Sequence, residues 1–369
     1  MEKRETVQAL AQQLARLREG MPPAAVMEVC GTHTQSVARS GLRQLLPSNL
    51  RLISSPGCPV CVTGGGTIAR AIALARRPNT CVCTFGDMMR VPVRLAAAGG
   101  AVEDSLLRER GLGRDVRLVL SPMEVLDAAR AEPEKDFVWF GVGFETTAPH
   151  TAALVRRARA DGTANLAVLC AHKTMPAALE ALLGGQKGSH VSALLCPGHV
   201  AAITGPQAFR FVPERLGMPA AVAGFEPEEI LSALTAIAAM LRSGRPALRN
   251  MYPSAVRPEG NPAAQQLLRQ VFEPCPAVWR GMGRIDGSGL RLRREYEEYD
   301  AERRFGPADA VTAAPEDEAG CRCGEILRGA AQPRDCPLFG TGCRPDSPRG
   351  PCMVSSEGAC AAEYRYGAR

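Results

Sequence analysis

The stretch Ala-Ala-Val-Met-Glu-Val-Cys-Gly-Thr-His, residues 24–33, shows the pattern that decides the fold. A mostly apolar run, Ala24–Val29, leads directly into a short polar turn that contains glycine. Continuous apolar runs of this length are typical of strands buried on both faces of a parallel sheet. The same succession of run, loop and helix-like segment recurs along the chain, which predicts strands that alternate with crossover helices.

Seven such runs are predicted strands: Ala24–Val29, Leu50–Ser54, Thr80–Phe85, Val116–Leu120, Asp136–Gly141, Leu166–Cys170 and Val191–Cys196. Predicted helices lie at Thr67–Arg76, Met123–Ala131, His150–Ala160 and Pro176–Leu183. Motifs rich in Gly, Cys or His follow directly on several of the runs. Because ligands collect at the carboxyl ends of strands in open α/β sheets, these motifs are expected to face a common cleft.

The domain organisation follows from length and composition. A chain of 369 residues exceeds the size at which one hydrophobic core usually stops growing. Residues 1–23 are predicted to form an amphipathic surface helix, residues 24–120 a first α/β domain and residues 121–227 a second. Residues 228–369 are predicted to begin with a helix and end in a cysteine-rich segment. The predicted fold class is α/β, with two parallel-sheet domains, a cleft between them and a small cysteine-rich domain.

Composition excludes several classes of function. The net charge is +6, but Arg is scattered without a basic block or interleaved aromatic residues, so nucleic acid is not an expected partner. The chain shows no signal peptide and no apolar stretch of membrane length, which predicts a cytoplasmic protein. Since the cytosol keeps thiols reduced, its 14 cysteines indicate metal ligation or redox chemistry rather than a disulfide framework.

The C-terminal segment carries the strongest signal, Cys321-x14-Cys336-x6-Cys343-x16-Cys360. Its turn-rich backbone has few large apolar residues, so a metal is expected to stabilise it. Four cysteines suit either a tetrahedral zinc site or a four-iron, four-sulfur cluster. Zinc ribbons usually show paired C-x2-C knuckles, which are missing from this sequence segment, and this favours the cluster. Cys323 and Cys352 are reserve ligands.

The second signal is Cys58-Pro59-Val60-Cys61, which leads into a glycine turn and a helix. A thiol at a helix start lies near unsatisfied backbone N–H groups, which lower its pKa and favour dithiol–disulfide chemistry. Half of a zinc site and a pair of buried small residues remain alternatives, because a C-x-x-C motif alone is only moderately specific.

The third signal is Cys30-Gly31-Thr32-His33-Thr34-Gln35. Thr32 and Gln35 have the spacing of a capping box, and Cys30 is expected to be an exposed, low-pKa thiolate beside His33. Such a Cys/His pair serves either as a nucleophilic catalyst or as a metal site.

Two polar residues at predicted strand ends, Glu145 and His199, suit either a cleft or a loop-capping role. Other cysteines lie within or beside apolar runs and are best interpreted as buried hydrophobic residues, namely Cys81, Cys83, Cys170 and Cys196.

Taken in order, five motifs resemble the HypD family: Cys-Gly-Thr-His-Thr at 30–34, Pro-Gly-Cys-Pro-Val-Cys at 56–61, Gly-Phe-Glu-Thr-Thr at 143–147, Pro-Gly-His-Val at 197–200 and the four-cysteine tail. The resemblance extends from about Glu28 to Cys360. It implies two α/β domains with a cleft and a third domain that carries a [4Fe-4S] cluster.

The resemblance also implies a function, a hydrogenase maturation scaffold with redox activity. Such a protein binds HypC, receives cyanide from HypE, which HypF serves, and holds Fe(II) while two cyanides and one carbon monoxide are attached. Cys30 would be the iron ligand, and Cys58 and Cys61 the redox dithiol. The cluster ligands would be Cys321, Cys336, Cys343 and Cys360, while His33, Glu145 and His199 belong to the matching motifs.

Two positions depart from the family pattern. Gln35 stands where some members carry a second His, and Ser55 replaces a Gly that often precedes Pro-Gly-Cys. Two other functions remain open: a thiol–disulfide or iron–sulfur oxidoreductase with a soluble substrate, and a zinc-stabilised interaction protein.

Overall fold

A computed structural model describes residues 2–98, 100–184, 191–306, 311–314 and 320–367. The strands are β1 Ala24–Glu28, β2 Leu50–Ser54, β3 Thr80–Thr84, β4 Val93–Ala97, β5 Gly100–Asp104, β6 Val116–Leu118, β7 Asp136–Gly143, β8 Leu166–His172, β9 Ala193–Pro197, β10 Ala220–Ala223, β11 Leu248–Asn250, β12 Phe272–Trp279 and β13 Gly283–Leu292. Across these ranges, no helix has the length and apolar character needed to cross a membrane.

The helices are α1 Glu2–Arg18, α2 Gly31–Arg39, α3 Pro59–Val62, α4 Gly65–Ala75, α5 Gly86–Met89, α6 Leu106–Gly111, α7 Pro122–Ala131, α8 Ala148–Ala160, α9 Met175–Gly184, α10 Gly198–Thr204, α11 Phe211–Arg215, α12 Pro227–Ser243, α13 Pro262–Val271, α14 Ala301–Phe305, α15 Cys323–Leu327, α16 Pro351–Val354 and α17 Ala359–Tyr366. Local chemistry explains several helix starts. Ser121 and Glu124 form a capping box at α7, and Pro122 occupies the first helical turn, where its missing N–H has no cost.

Two parallel sheets form the framework. The first has five strands in the order β11-β10-β9-β1-β2, and the second has four in the order β6-β3-β7-β8. Their central strands are buried throughout, as continuous apolar runs predict. The predicted α/β fold class with two parallel sheets is therefore confirmed, and each of the seven predicted strands is present with small shifts at its ends.

The predicted domain boundary at residue 120 does not separate the two sheets. Strand β1 pairs with β2 on one side, Val26 opposite Leu52, and with β9 on the other, Val26 opposite Ala193. The chain thus leaves the first sheet after β2, builds the second sheet, and returns at β9. The division into residues 24–120 and 121–227 was wrong because apolar runs reveal strands but not their pairing partners.

An antiparallel hairpin, β12–β13, joins the two sheets and was missed in the sequence because it lies in a region rich in Pro, Gly and Arg. Its Trp279 forms a bridge with Thr63, and Arg280 N donates to Val62 O at 2.9 Å, which fixes the end of α3. Trp279 also stacks on Phe144 with ring centroids 5.8 Å apart. The hairpin therefore places the C-x-x-C helix against the loop after β7.

The cysteine-rich tail lies against the first sheet. Its few large apolar residues, among them Ile326, Leu327 and Met353, are buried in the same core cluster as Met27 and Ile53 of β1 and β2. The tail thus shares the core of the sheet instead of forming a separate one. This arrangement supplies part of the burial that its own composition lacks.

Candidate functional site

The order of the first sheet reverses between β1 and β9. From β1 the chain moves to β2 on one side, and it later returns on the other side through β9, β10 and β11. In parallel α/β sheets the crevice outside such a switch point is where ligands bind. Cys30 follows β1 by two residues, and His199 lies in the first turn of α10, directly after β9, so the topology brings two of the predicted site residues to this edge of the sheet.

Cys30 lies at the N-terminal end of α2 and is only 9% exposed. Burial, together with the nearby Glu357 carboxylate, raises its pKa to about 11. Backbone N–H groups of Thr32 and His33 act in the opposite direction, but they are outweighed. The prediction of an exposed, low-pKa thiolate was therefore wrong. The helix start is present, but burial and the Glu357 charge favour the protonated form of the thiol.

The predicted capping box of Thr32 and Gln35 is also wrong, since no side chain caps α2. Thr32 Oγ1 instead donates to Glu357 Oε1 at 2.7 Å, a contact between the start of the chain and its tail.

His33 and His199 lie near the same phenylalanine ring. The Phe225 centroid is 4.7 Å from that of His33 and 3.9 Å from that of His199. The Nε2 atom of His33 contacts Gly224 O at 2.8 Å, and burial lowers the pKa of His33 to about 4. Buried Nδ1 of His33 has no hydrogen-bond partner among the described residues, whereas His199 is exposed. His33 is thus a buried, neutral group on one side of the Phe225 ring, and His199 is an exposed group that stacks on the same ring.

The C-x-x-C motif starts a short helix as predicted. Cys58 is its N-cap residue, and its Sγ accepts a hydrogen bond from Cys61 N at 3.2 Å. Burial and the hydrogen bond with Cys58 raise the pKa of Cys61. The loop also packs tightly on Cys30: Gly31 N donates to Gly57 O at 3.1 Å, and a Cβ on Gly57 would lie 2.7 Å from Cys30 N. Only glycine allows this approach.

The tail cysteines gather on the far side of the dithiol. Cys61 Sγ contacts Pro351 O at 3.7 Å, and Cys323 and Cys352 both influence the pKa of Cys61 electrostatically. Cys352 Sγ is 3.2 Å from Cys360 Sγ, and a hydrogen bond with Cys352 raises the pKa of Cys323. Two cysteines reserved as substitute ligands thus lie between the dithiol and Cys360.

Three of the four predicted ligand cysteines, Cys321, Cys336 and Cys343, interact electrostatically, whereas Cys360 lies beside Cys352. Burial raises the pKa of Cys321 to about 12, and its thiol interacts electrostatically with Cys336 and Cys343 as well as with Cys323. Cys343 Sγ accepts a hydrogen bond from Arg349 N at 3.2 Å, the kind of N–H···S contact that tunes iron–sulfur clusters. The donor set, four thiols, has the chemistry that such a cluster needs. In the described part of the chain, no three His, Cys, Asp or Glu side chains are arranged to hold a single metal ion.

Glu145 proves to be a buried cap. Its Oε1 accepts from Met175 N at 2.9 Å at the start of α9, and its Oε2 has no partner within the described residues. Burial raises the pKa of Glu145 to about 7. Glu145, which lies in the loop after β7, thus has the capping role that the sequence left open.

The remaining cysteines behave largely as predicted. Cys81, Cys83 and Cys196 are buried in the sheets, while Cys170 is half-buried and donates to Leu290 O at 3.0 Å. Sequence reasoning missed Gly57, Phe225 and Glu357, because each acts through a contact that is distant in sequence.

The fold and the site together define a cysteine-rich α/β protein whose thiols line the switch point of a parallel sheet and the tail packed against it. A model of the HypD family, described as the hydrogenase formation hypA family, matches residues 5–367. The chain therefore belongs to the HypD family, and the resemblance noted in the sequence is confirmed.

Similar proteins span nearly the whole chain. The hydrogenase maturation factor HypD of Azotobacter vinelandii is 43% identical over 98% of this chain and 94% of its own length. The hydrogenase expression/formation protein HupD of Azotobacter chroococcum mcd 1 is 44% identical, with coverages of 97% and 94%. HypD of Escherichia coli K12 is 41% identical, with coverages of 93% and 89%. Family membership thus connects the chain with hydrogenase maturation.

Proposed function

We propose that this chain is a hydrogenase maturation scaffold with redox activity, which holds an iron ion while cyanide and carbon monoxide are attached to it. The observation that supports this most directly is the position of Cys30. It lies at the switch point of the first sheet, in contact with the dithiol loop and beside the cysteine-rich tail. This position brings the proposed iron ligand next to the proposed dithiol and to the tail that would hold the cluster.

Cys30 has the properties of a ligand for a soft, low-spin ferrous ion. Burial keeps it protonated near neutral pH, so iron binding would release a proton. A buried, protonated thiol reacts slowly with other electrophiles, so Cys30 would remain unmodified until iron binds. A HypC-type partner would supply a second thiolate, and His199, which is exposed, would be accessible to such a partner.

The dithiol would supply the two electrons that release of cyanide from its donor requires. A HypE-type donor would present cyanide as a thiocyanate, R–S–C≡N, whose release as cyanide needs two electrons. Oxidation of Cys58 and Cys61 to a disulfide supplies both electrons, and of the two thiol protons one goes to the donor thiol and one to solvent. The donor, itself served by a HypF-type protein, thus leaves as a free thiol and cyanide passes to the iron.

The tail would hold a [4Fe-4S] cluster through Cys321, Cys336, Cys343 and Cys360. Such a cluster, when bound, supplies electrons one at a time for the return of the disulfide to the dithiol. Cys323 and Cys352 lie between Cys61 and Cys360, which supports a short path between the two redox groups. The reducing cytoplasm is the compartment in which these thiols would stay available.

The test is anaerobic purification of the chain with its HypC-type partner, with iron, sulfide and zinc measured on the same sample. We expect a brown protein with about four irons and four sulfides in the tail, plus infrared bands of bound cyanide and carbon monoxide. Cys30→Ala should lose those bands and keep the cluster. Cys275→Ala removes a half-buried thiol from the β12–β13 hairpin and is the matched control.

Contrary outcomes are distinct. Infrared bands that persist in Cys30→Ala refute the ligand assignment, and full hydrogenase maturation with Cys58→Ser refutes the redox dithiol. A colourless protein with one zinc supports an interaction protein instead. A brown protein that binds neither partner nor extra iron supports an oxidoreductase with a soluble substrate.

A further inference from the structure

Cys30 is held from two sides, and the second side is formed by the tail. Gly31, the next residue, lies so close to Glu357 that a Cβ on it would be 2.6 Å from the Glu357 Cβ. Thr32 Oγ1 donates to Glu357 Oε1 at 2.7 Å. Glu357 therefore holds both residues that follow Cys30. It packs against the backbone of Gly31, and its carboxylate accepts a hydrogen bond from Thr32.

Glu357 lies within the turn that brings Cys352 and Cys360 together. Gly358 N donates to Ser355 O at 2.9 Å, and Cys352 Sγ is 3.2 Å from Cys360 Sγ. A Cβ on Gly358 would lie 2.2 Å from Cys352 O, so the turn is closely packed. Since Glu357 is three positions before Cys360, a change in the arrangement of these thiols moves the backbone that carries the carboxylate.

We propose that Glu357 is a positioning residue that transmits the arrangement of Cys352 and Cys360 to Cys30 through Gly31 and Thr32. The inference rests on the proposed role of Cys30 as the iron ligand and adds regulation to it. While the tail thiols keep their arrangement, the Cys30 loop is held closed. When they rearrange, the hydrogen bond to Thr32 is lost and Cys30 becomes accessible.

The first experiment measures the accessibility of Cys30 in the chain alone, with no cargo iron on Cys30 and no partner protein. The anaerobic full-length chain is treated with iodoacetamide, and peptide mass spectrometry gives the alkylation rate of Cys30, with Cys275 as internal reference. Thr32→Val keeps the shape of the side chain but removes the hydroxyl that donates to Glu357, whereas Thr32→Ser keeps that hydroxyl. We expect Thr32→Val and Glu357→Ala to raise the Cys30 rate about tenfold, as for loss of a hydrogen bond to a charged group. Thr32→Ser should match wild type.

Two comparisons distinguish positioning from general loosening. Glu363→Gln alters another tail carboxylate, which pairs with Arg43 and Arg334, and should leave the Cys30 rate unchanged. The double variant Thr32→Val/Glu357→Ala should react like Glu357→Ala alone, because that single variant already removes the contact with Thr32 together with the carboxylate that raises the pKa of Cys30. A Cys30 rate that is unchanged in Thr32→Val, or effects that multiply in the double variant, would overturn the proposal.

Transmission from the tail is tested with Cys360→Ser. We expect this change to accelerate alkylation of Cys30 when Glu357 is present and to have no further effect in Glu357→Ala. Equal acceleration in both backgrounds would show that the tail acts on Cys30 by another route. These results are independent of the iron test: infrared bands that persist in Cys30→Ala refute the proposed function, whereas the alkylation rates alone decide the role of Glu357.

Discussion

The substitution Gly57→Ala tests whether the dithiol loop must contact the backbone of Cys30. The new methyl group would lie 2.7 Å from the N and Cα atoms of Cys30. Both neighbours are backbone atoms, which cannot rotate away as a side chain can. Restoring an ordinary 3.4 Å contact requires a shift of about 0.7 Å between the two loops. Overpacking of this kind costs about 1–3 kcal/mol.

The functional effect should exceed the effect on stability. A misplacement near 1 Å between reacting groups can lower a rate by about 10²-fold, so we expect at least a roughly tenfold loss of hydrogenase maturation. The assay is hydrogenase activity in cells that lack their own HypD-family gene and express the variant. Thermal unfolding of the purified protein reports the accompanying loss of stability.

Gly66→Ala is the matched control, since it makes the same change in α4, a few residues beyond the motif. A Cβ there meets no atom within 4 Å, and alanine in a helix is more stable than glycine by roughly 0.5–1 kcal/mol. This variant should mature hydrogenase normally. If Gly57→Ala also matures hydrogenase at the wild-type level and unfolds at the wild-type temperature, the close contact is not needed and the reasoning fails.

Three further predictions concern buried polar groups in and beside the second sheet. Thr151→Val should lower the free energy of unfolding by about 2–4 kcal/mol in urea titrations, because Trp139 Nε1 and His172 Nε2 both lose their partner; a change within measurement error would contradict this. Burial lowers the pKa of His172 to about 4, while the unfolded chain titrates near 6.5. Between these values only the unfolded chain binds the proton at His172, so this residue should contribute a fall in stability of roughly 1.4 kcal/mol per pH unit as pH decreases through that window. The slope should be shallower in His172→Gln, and equal slopes would refute the assignment. Burial also lowers the pKa of Lys173 to about 8, so Lys173→Met should stabilise the protein by about 1–3 kcal/mol at pH 7. That gain should shrink as pH rises from 8 toward 10.5, where the lysine of the unfolded chain also loses its proton. A variant that is less stable than wild type at pH 7 would refute the claim that the buried Lys173 charge destabilises the fold.

The sequence predicted the elements of this fold better than their arrangement. Each apolar run became a strand, because a strand buried on both faces needs apolar residues at every position. Pairing was not predictable in the same way: β1 and β9 are adjacent in space but separated by the whole second sheet in sequence. No local pattern records which of several similar apolar strands lies next to another.

The same limit applies to the candidate site. The spacing of Cys58 and Cys61 predicted a thiol at a helix start, which the structure shows because capping is a local property. The state of Cys30 was mispredicted, since its burial and the charge of Glu357 come from distant segments.

By itself the sequence determined the alternation of strands and helices, the loops that carry the thiols, and a family that spans nearly the whole chain. These depend on neighbours within a few residues, so periodicity and spacing reveal them. Only the tertiary structure decided that Cys30 is a buried, protonated thiol in contact with Gly57 and beside Glu357. Thr32 and Glu357 are 325 positions apart, and a thiol's pKa is set by whatever charges and apolar groups the fold packs around it.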